Sequence, residues 1–344
     1  MKEILDGLVE EGWLISQVHP TLDLTIYNYS QKTQYESNWN EWTLLCRGLV
    51  VNSKGEIVAR PFNKFFNWEE VSDKVPTNES YEIYEKMDGS LGIFFWYDGQ
   101  PVFASRGSFT SDQARKGWEM LRCKPYEDAN PNYTYLFEII YPENRIVLDY
   151  GSEEKLVLLG AIHTQSGVEM HREIMENHLK DSFELVKVYH LTNGWESLKS
   201  LNEPNKEGFV IKFENGFRMK IKFEEYVRLH RIITQVSNID IWERLMKGEP
   251  LDELLEKVPD EFFDWVRKTI KELVSTYSFL ENEYKWIFKI VNRSAKDRKH
   301  FAEMALRYKH PSLLFSMYDG KDYSQAIWKL VRPTWSKPFA NAEN

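Results

Sequence analysis

Lys86-Met87-Asp88-Gly89 sets a lysine two residues from a carboxylate, at the mouth of the apolar run Ser90 to Trp96. A lysine so placed is either the start of a hairpin turn or a nucleophile. An ordinary lysine has a pKa of about 10.4, so well under about 0.1% of it is free amine at neutral pH. A nucleophilic lysine therefore needs desolvation or nearby cations to favour the neutral form. Lys220-Ile221-Lys222 offers such cations, because side chains alternate along a strand and the two ammonium groups share one face. With a two-residue turn at Asn215-Gly216, Ile211 is expected opposite Lys220 and Phe209 opposite Lys222. That partly apolar face would disfavour a third charge and could hold a triphosphate.

K-x-D-G alone is a weak signal, and each of these residues has a plainer reading: solvated edge lysines, surface carboxylates, a core phenylalanine. The order of the surrounding segments gives it weight. Cys46-Arg47-Gly48, the run FNKFFN at 62–67, Ser105-Arg106-Gly107-Ser108, Phe137-Glu138, Asn144-Arg145-Ile146-Val147, Glu207-Gly208 and Lys220-Ile221-Lys222 follow one another along the chain. Other chemistries find no support. There is no GxxxxGK[ST], GxGxxG or HExxH, and Ser105 and Ser108 lack evident His or Asp partners. His171 and His178 could share a helix face, where a surface pair is the simpler reading.

These residues must be held by strands. The region up to about Phe223 has the pattern of a strand-rich fold, with a hairpin around Ser53-Lys54-Gly55 and tight turns expected at Asp88-Gly89 and Asp98-Gly99. Strands are expected at TYLFEIIYP and KLVLLGAIH, and a type I′ hairpin in EGFVIKFENGFRMKIKF. From about Glu225 the period changes. Phe263, Val266, Ile270, Leu273, Tyr277, Leu280, Tyr284 and Ile287 are three or four apart, one face of a long helix. Shorter helices follow, the first capped by Ser294, and the boundary between the two parts is expected as continuous helix near Val227 to Asn238.

The ordered set resembles the covalent nucleotidyltransferases, and specifically the phage-type RNA ligase 1 family. CRGLVV, RPFNKFFN, EKMDGS, FEIIYPENRIVLDYG, EGFVIKF and MKIK carry the resemblance, over about the first two thirds of the chain. It implies an α+β fold: a nucleotidyltransferase, ATP-grasp-like adenylation domain of antiparallel sheets with flanking helices at 1–235, then an all-α domain at 236–344 that engages RNA. It implies an ATP-dependent ligase joining 5′-phosphate to 3′-hydroxyl RNA ends, nicked tRNA among them, with Lys86 adenylated and Lys220 and Lys222 assisting. By the same resemblance Arg47 and Lys64 contact phosphates or ribose, and Phe66 and Ile211 pack on the nucleotide. Glu85, Asp88, Gly89, Arg106, Glu138, Glu207 and Gly208 complete the site, and the motif positions of Glu207, Glu138 and Asp88 imply that these carboxylates place Mg²⁺ or Mn²⁺, partly through water. Arg106 stands where well-known members carry Lys, which keeps the charge and changes the geometry. A small β-barrel would follow the last lysine motif in DNA ligases and capping enzymes; helices follow it here. A ligase of DNA ends and a catalytically silent nucleotide- or RNA-end-binding protein stay open as alternatives.

The 344 residues are 42% hydrophobic, enough for sizeable cores, and no run approaches a membrane span. The N-terminus lacks a signal-peptide core. Cys46 and Cys123 form no CxxC pair, so a reducing, cytoplasmic setting is expected; the chain is also expected to be a monomer. Net charge is −9, yet the charge is uneven. Eleven acids face six Lys/Arg between Ile241 and Tyr284, and twelve Lys/Arg face four acids between Lys285 and Lys337. Arg293, Lys296, Arg298, Lys299, Arg307 and Lys309 are the densest cluster, with Trp286 and Tyr308 nearby. It reads either as a solvated helix surface or as a phosphate-binding, base-stacking face.

Overall fold

The computed structural model describes residues 1–191, 194–203, 205–224, 226–227, 236–251 and 263–334. The chain divides into two compact units, Met1–Ile233 and Thr234–Asn344.

Three sheets build the first unit. Leu14–Val18, Thr25–Tyr29, Arg47–Val51 and Ile57–Ala59 pair antiparallel in that order. Asn52 closes the last hairpin, its Oδ1 accepting from the amides of Lys54 and Glu56. A second sheet orders Glu184–Leu185, Lys155–His163, Tyr133–Ile140, Ser90–Tyr97 and Gln100–Ser105. A third orders Val188–Tyr189, Tyr81–Lys86, Gly208–Phe213, Arg218–Lys222 and Phe66–Asn67. Pairing is antiparallel except at two short edge strands, Glu184–Leu185 and Phe66–Asn67. Alternation along the strands gives each sheet an apolar face to bury. Leu24, Ile26 and Val50 of the first sheet pack on Ile93, Phe95 and Leu136 of the second. The other face of the second sheet packs Phe137, Ile139 and Leu158 on Leu121, Met175 and Leu179 from flanking helices.

Two turn expectations need correction. Asp98-Gly99 does close a two-residue hairpin, with Tyr97 paired to Gln100. Asp88-Gly89 does not, because Tyr81–Lys86 lies in the third sheet and Ser90–Tyr97 in the second. The chain crosses between sheets at this point. Gly89 is required there by close approach: a Cβ would lie 2.6 Å from the Ile139 carbonyl oxygen. At the Asn-Gly hairpin, Phe213 N–H donates to Phe217 O (2.9 Å) and Gly216 N–H to Phe213 O (2.9 Å). The loop is thus three residues, Glu214 to Gly216, with positive φ at Gly216 and not at Asn215. A type I′ turn needs positive φ at both central residues. Glu79 holds Asn215 instead, accepting from both its backbone and side-chain N–H groups.

In the second unit the described elements are helices: Asn238–Lys247, Phe263–Ser294, Arg298–Ala305, Pro311–Tyr318 and Ser324–Leu330. Val266, Leu273, Tyr284 and Ile287 of the long helix are buried, as their spacing requires. The side chain of Phe263, the interval 228–235 where a continuous helix is expected, and Lys337 lie outside the described residues. Ser294 ends the long helix rather than capping the next, whose N-cap is Asp297, accepting from His300 N–H. Among the described residues no helix is long and apolar enough to cross a membrane.

Candidate active site

The three-residue loop shifts the hairpin register by one and decides which side chains meet. Gly208 pairs with Lys222 on one side and with Lys86 on the other; Val210 pairs with Lys220 and Tyr84. Directly paired residues share a sheet face. Lys86, Gly208 and Lys222 therefore form one row across three strands, with Tyr84, Val210 and Lys220 the next. Gly208 leaves the middle of the first row without a side chain. Its φ is +145°, and a Cβ would stand 2.0 Å from the Ile221 carbonyl oxygen. Into this row Glu207 projects its carboxylate, Oε1 lying 2.7 Å from Lys86 Nζ and 3.5 Å from Lys222 Nζ. Glu207 is 3% exposed and the Lys86 side chain 20%. Hence the group against Lys86 is an anion held between two ammonium groups, not the pair of cations expected.

Glu207 Oε2 is buried with no hydrogen-bond partner, a costly state for a carboxylate oxygen unless something binds it. Glu138, on the strand beside Ser90–Tyr97, faces the same cluster. Burial pushes its carboxyl up to about 7, with Lys86 and Arg47 pulling it down and Glu207 and Asp88 pushing it up. Two adjacent carboxylates, one with an unpartnered oxygen, suit a hard divalent cation that keeps water or phosphate as its other ligands. Among the described residues no cluster of three or more His, Cys, Asp or Glu could serve alone. Asp88 does not join them. Its Oδ2 accepts from the amides of Val147 (2.9 Å) and Leu148 (2.8 Å), and its Oδ1 from Tyr226 Oη (2.8 Å). Its own N–H donates to Tyr150 Oη. Asp88 thus ties the Lys86 loop to the segment NRIVLDYG, a positioning role in place of the metal-ligand role expected of it.

A second cluster is aromatic and cationic. Lys64 is buried, with Nζ 5.4 Å from each ring centroid of Tyr29, Trp39 and Phe66. Trp39 meets both other rings edge-on, at 5.2 and 5.4 Å. Arg106 lies over the Tyr29 ring and donates to its hydroxyl at 3.4 Å. Arg47, over the Phe65 ring, also bonds Tyr29; burial lowers its pKa, and Arg106 lowers it further. Glu138 senses both Arg47 and Lys86 and so links the two clusters. Rings disperse the charge of three gathered cations without neutralising it, and such a set suits a polyphosphate.

Of the expected residues, Lys86, Lys222, Glu207, Gly208 and Glu138 come together, and Arg47, Lys64, Phe66 and Arg106 gather around Tyr29. Lys220 is buried on the same face as Lys86. Ile211 and Glu85 do not join them. Ile211 pairs with Ile83 and Met219 on the opposite face and is fully buried in the core with Phe209 and Phe213. Glu85 pairs with Phe209, and its carboxylate accepts from Tyr189 Oη at 3.4 Å. The Ile211 correction follows from the one-residue register shift, which puts Val210 on the Lys86 face instead; Glu85 lies on the opposite face because side chains alternate along the strand that carries Lys86. Tyr29, Trp39 and Tyr226 escaped the sequence reading. They stand among ordinary aromatic strand and loop residues, and only the pairing of Thr25–Tyr29 with Arg47–Val51 signals that Tyr29 belongs beside Arg47.

Residues 45–227 match the family model described as RNA ligase, more than half of the chain. RNA ligase of Rhodothermus phage RM378 is 23% identical, over 87% of this chain and 86% of its own length. A putative bifunctional polynucleotide kinase/RNA ligase of Autographa californica nuclear polyhedrosis virus is 25% identical over 76% of this chain, which spans only 40% of that longer protein. A structure of Naegleria gruberi RNA ligase with PPi is more distant, with a TM-score of 0.43 and 16% identity over 49% of this chain and 57% of the other. Because the family model covers residues 45–227, more than half of the chain and the whole stretch from Arg47 to Lys222 that carries the site, this chain belongs to the phage-type RNA ligase 1 family.

Proposed function

We propose that this RNA ligase joins 5′-phosphate and 3′-hydroxyl ends with ATP, through a covalent Lys86 intermediate. The observation that carries the reading is the Lys86–Glu207–Lys222 row, with Glu207 Oε1 2.7 Å from Lys86 Nζ. First, Nζ in its neutral form attacks the α-phosphorus; a P–N bond forms, the bond to pyrophosphate breaks, and the amine gives up its proton. Glu207 Oε1 lies at hydrogen-bond distance to orient that amine and to receive a proton. Lys222 and Lys220, on the same face, suit the phosphate oxygens. The AMP then passes to the RNA 5′-phosphate, releasing Lys86, and the 3′-hydroxyl displaces AMP to close the phosphodiester. Each step is positioning and charge neutralisation more than covalent chemistry by the protein.

Mg²⁺ or Mn²⁺ held by Glu207 Oε2 and Glu138 would supply neutralisation of phosphate charge. Arg47, Lys64 and Arg106 suit the departing pyrophosphate. Val210 and Tyr84, on the Lys86 face, suit an apolar wall for adenine, the part first expected of Ile211. We also take 1–235 as the adenylation domain and 236–344 as a helical, RNA-engaging domain.

The test is intact mass after exposure to ATP and metal. Wild type is expected to gain one AMP and Lys86→Ala none. Wild type without added mass ends the proposal. Joining assays with RNA and DNA ends side by side then decide the substrate.

A further inference from the structure

The long helix Phe263–Ser294 carries two apolar stripes. One is the buried stripe described above. The other faces away from it: Trp286 follows buried Tyr284 by two residues, about 200° around the helix. Phe279, Trp286 and Ile290 lie on this outward side at 69%, 65% and 39% exposure. Isolated exposed apolar residues are ordinary. Two large rings nearly free of cover, seven residues apart on one face, form a surface that awaits something.

The charge around it is not uniform. Glu272 lies toward the helix start, and exposed Glu283, four residues past Phe279 and three before Trp286, lies between the two rings. Past Trp286 come Lys289 and Arg293, three and seven residues on, hence beside and beyond its ring. Both are exposed, and neither makes an ion pair or hydrogen bond among the described residues. Lys285, by contrast, is paired with Glu281 at 2.9 Å. The basic cluster seen in the sequence is not one patch. Arg298 is bound to Asp319 at 3.0 Å and lies over Tyr318. Arg307, Tyr308 and Lys309 lead into His310, whose N–H donates to Tyr284 on the buried stripe. Trp286, Lys289 and Arg293 are left as a separate group. An arginine in the last turn also complements the helix dipole; that accounts for Arg293 and leaves the exposed Trp286 unexplained.

We infer that Trp286, Lys289 and Arg293 form a docking face for single-stranded RNA, with one base stacked on the indole and the cations on the flanking phosphates. An aromatic plane beside two cations that have no ion pair among the described residues suits a polyanion with exposed π-faces; on a protein of net charge −9 this local patch, not the overall charge, has to supply the attraction. This rests on the RNA ligase reading and adds to it a surface of the second unit.

The test is fluorescence anisotropy of a short, labelled, 5′-phosphorylated single-stranded RNA with the full chain, without ATP. Trp286→Ala is expected to weaken binding by about fivefold to about a hundredfold, the range for loss of one base stack. Trp286→Phe should restore most of it. Lys289→Gln with Arg293→Gln should flatten the log–log salt dependence by about 1.4, about 0.7 for each phosphate no longer neutralised. AMP uptake by these variants should match wild type. Unchanged RNA affinity in Trp286→Ala overturns the inference, as does a Trp286→Ala effect on self-association in sedimentation with no effect on RNA. A wild type unable to take up AMP would count against the Lys86 reading alone, since the RNA affinities are read without it.

Discussion

Replacing Glu138 by Gln removes a carboxyl whose titration burial has moved into the neutral range, from 4.5 to about 7. A raised carboxyl binds its proton more tightly in the folded than in the unfolded chain. Its contribution to stability is therefore fully present below about pH 4.5 and is lost as pH rises through about 7. The full loss is about 3 kcal/mol, at 1.36 kcal/mol for each unit of about 2.5. About 2 kcal/mol of it falls between pH 5.5 and pH 8.5. The Gln variant holds no proton to lose. Urea unfolding near those two pH values should show Glu138→Gln gaining about 2 kcal/mol on wild type at the alkaline end. Mg²⁺ should reverse the order, stabilising wild type more as pH rises, because only the anion binds it. A wild-type-to-Gln difference that is the same at both pH values would refute the burial argument. Equal stabilisation of both proteins by Mg²⁺ would remove Glu138 from the metal site.

Two further outcomes follow from the geometry. Trp39→Ala opens the cage around Lys64, and a desolvated cation–ring interaction is worth about 2 kcal/mol. AMP uptake should slow by about tenfold to about thirtyfold, the urea midpoint should fall as well because Trp39 packs on the core around Tyr27 and Leu49, and an unchanged single-turnover rate would mean that the cage does not position Lys64. Ile211→Ala should cost about 2–5 kcal/mol of stability and leave ATP affinity nearly intact, as for any core aliphatic. Val210→Ala should weaken ATP binding with less loss of stability. The reverse pattern would restore the register expected from a two-residue turn.

The site was readable in the sequence wherever chemistry restricts residue type, and misread wherever one residue of register decides. Lys86, Glu207, Lys222 and Glu138 could be named because nucleophile, carboxylate and phosphate cation each admit few side chains. Ile211 was misassigned because Asn-Gly suggests a two-residue turn, and a shift of one residue exchanges the two faces of a strand; Glu85, next to Lys86 in one strand, faces away from it by simple alternation. What sets the longer loop is Glu79, remote in sequence, gripping both N–H groups of Asn215. Asp88 shows the same limit from another side. Its spacing from Lys86 looks catalytic, whereas its oxygens are filled by Val147, Leu148 and Tyr226, residues 59 to 138 positions away. The long helix was legible on its buried side at Val266, Leu273, Tyr284 and Ile287, because burial imposes a period, while Ile270, Tyr277 and Leu280 are half-buried and buried Val291 extends the stripe beyond the residues expected. Its outer face obeys no such rule, so Trp286 could be counted in the sequence but not assigned a direction until the helix phase was set by Tyr284 and Ile287. The buried stripe thereby gives the outward one its meaning: once the first is covered by the unit's own helices, Phe279 and Trp286 are left exposed among the described residues of this unit.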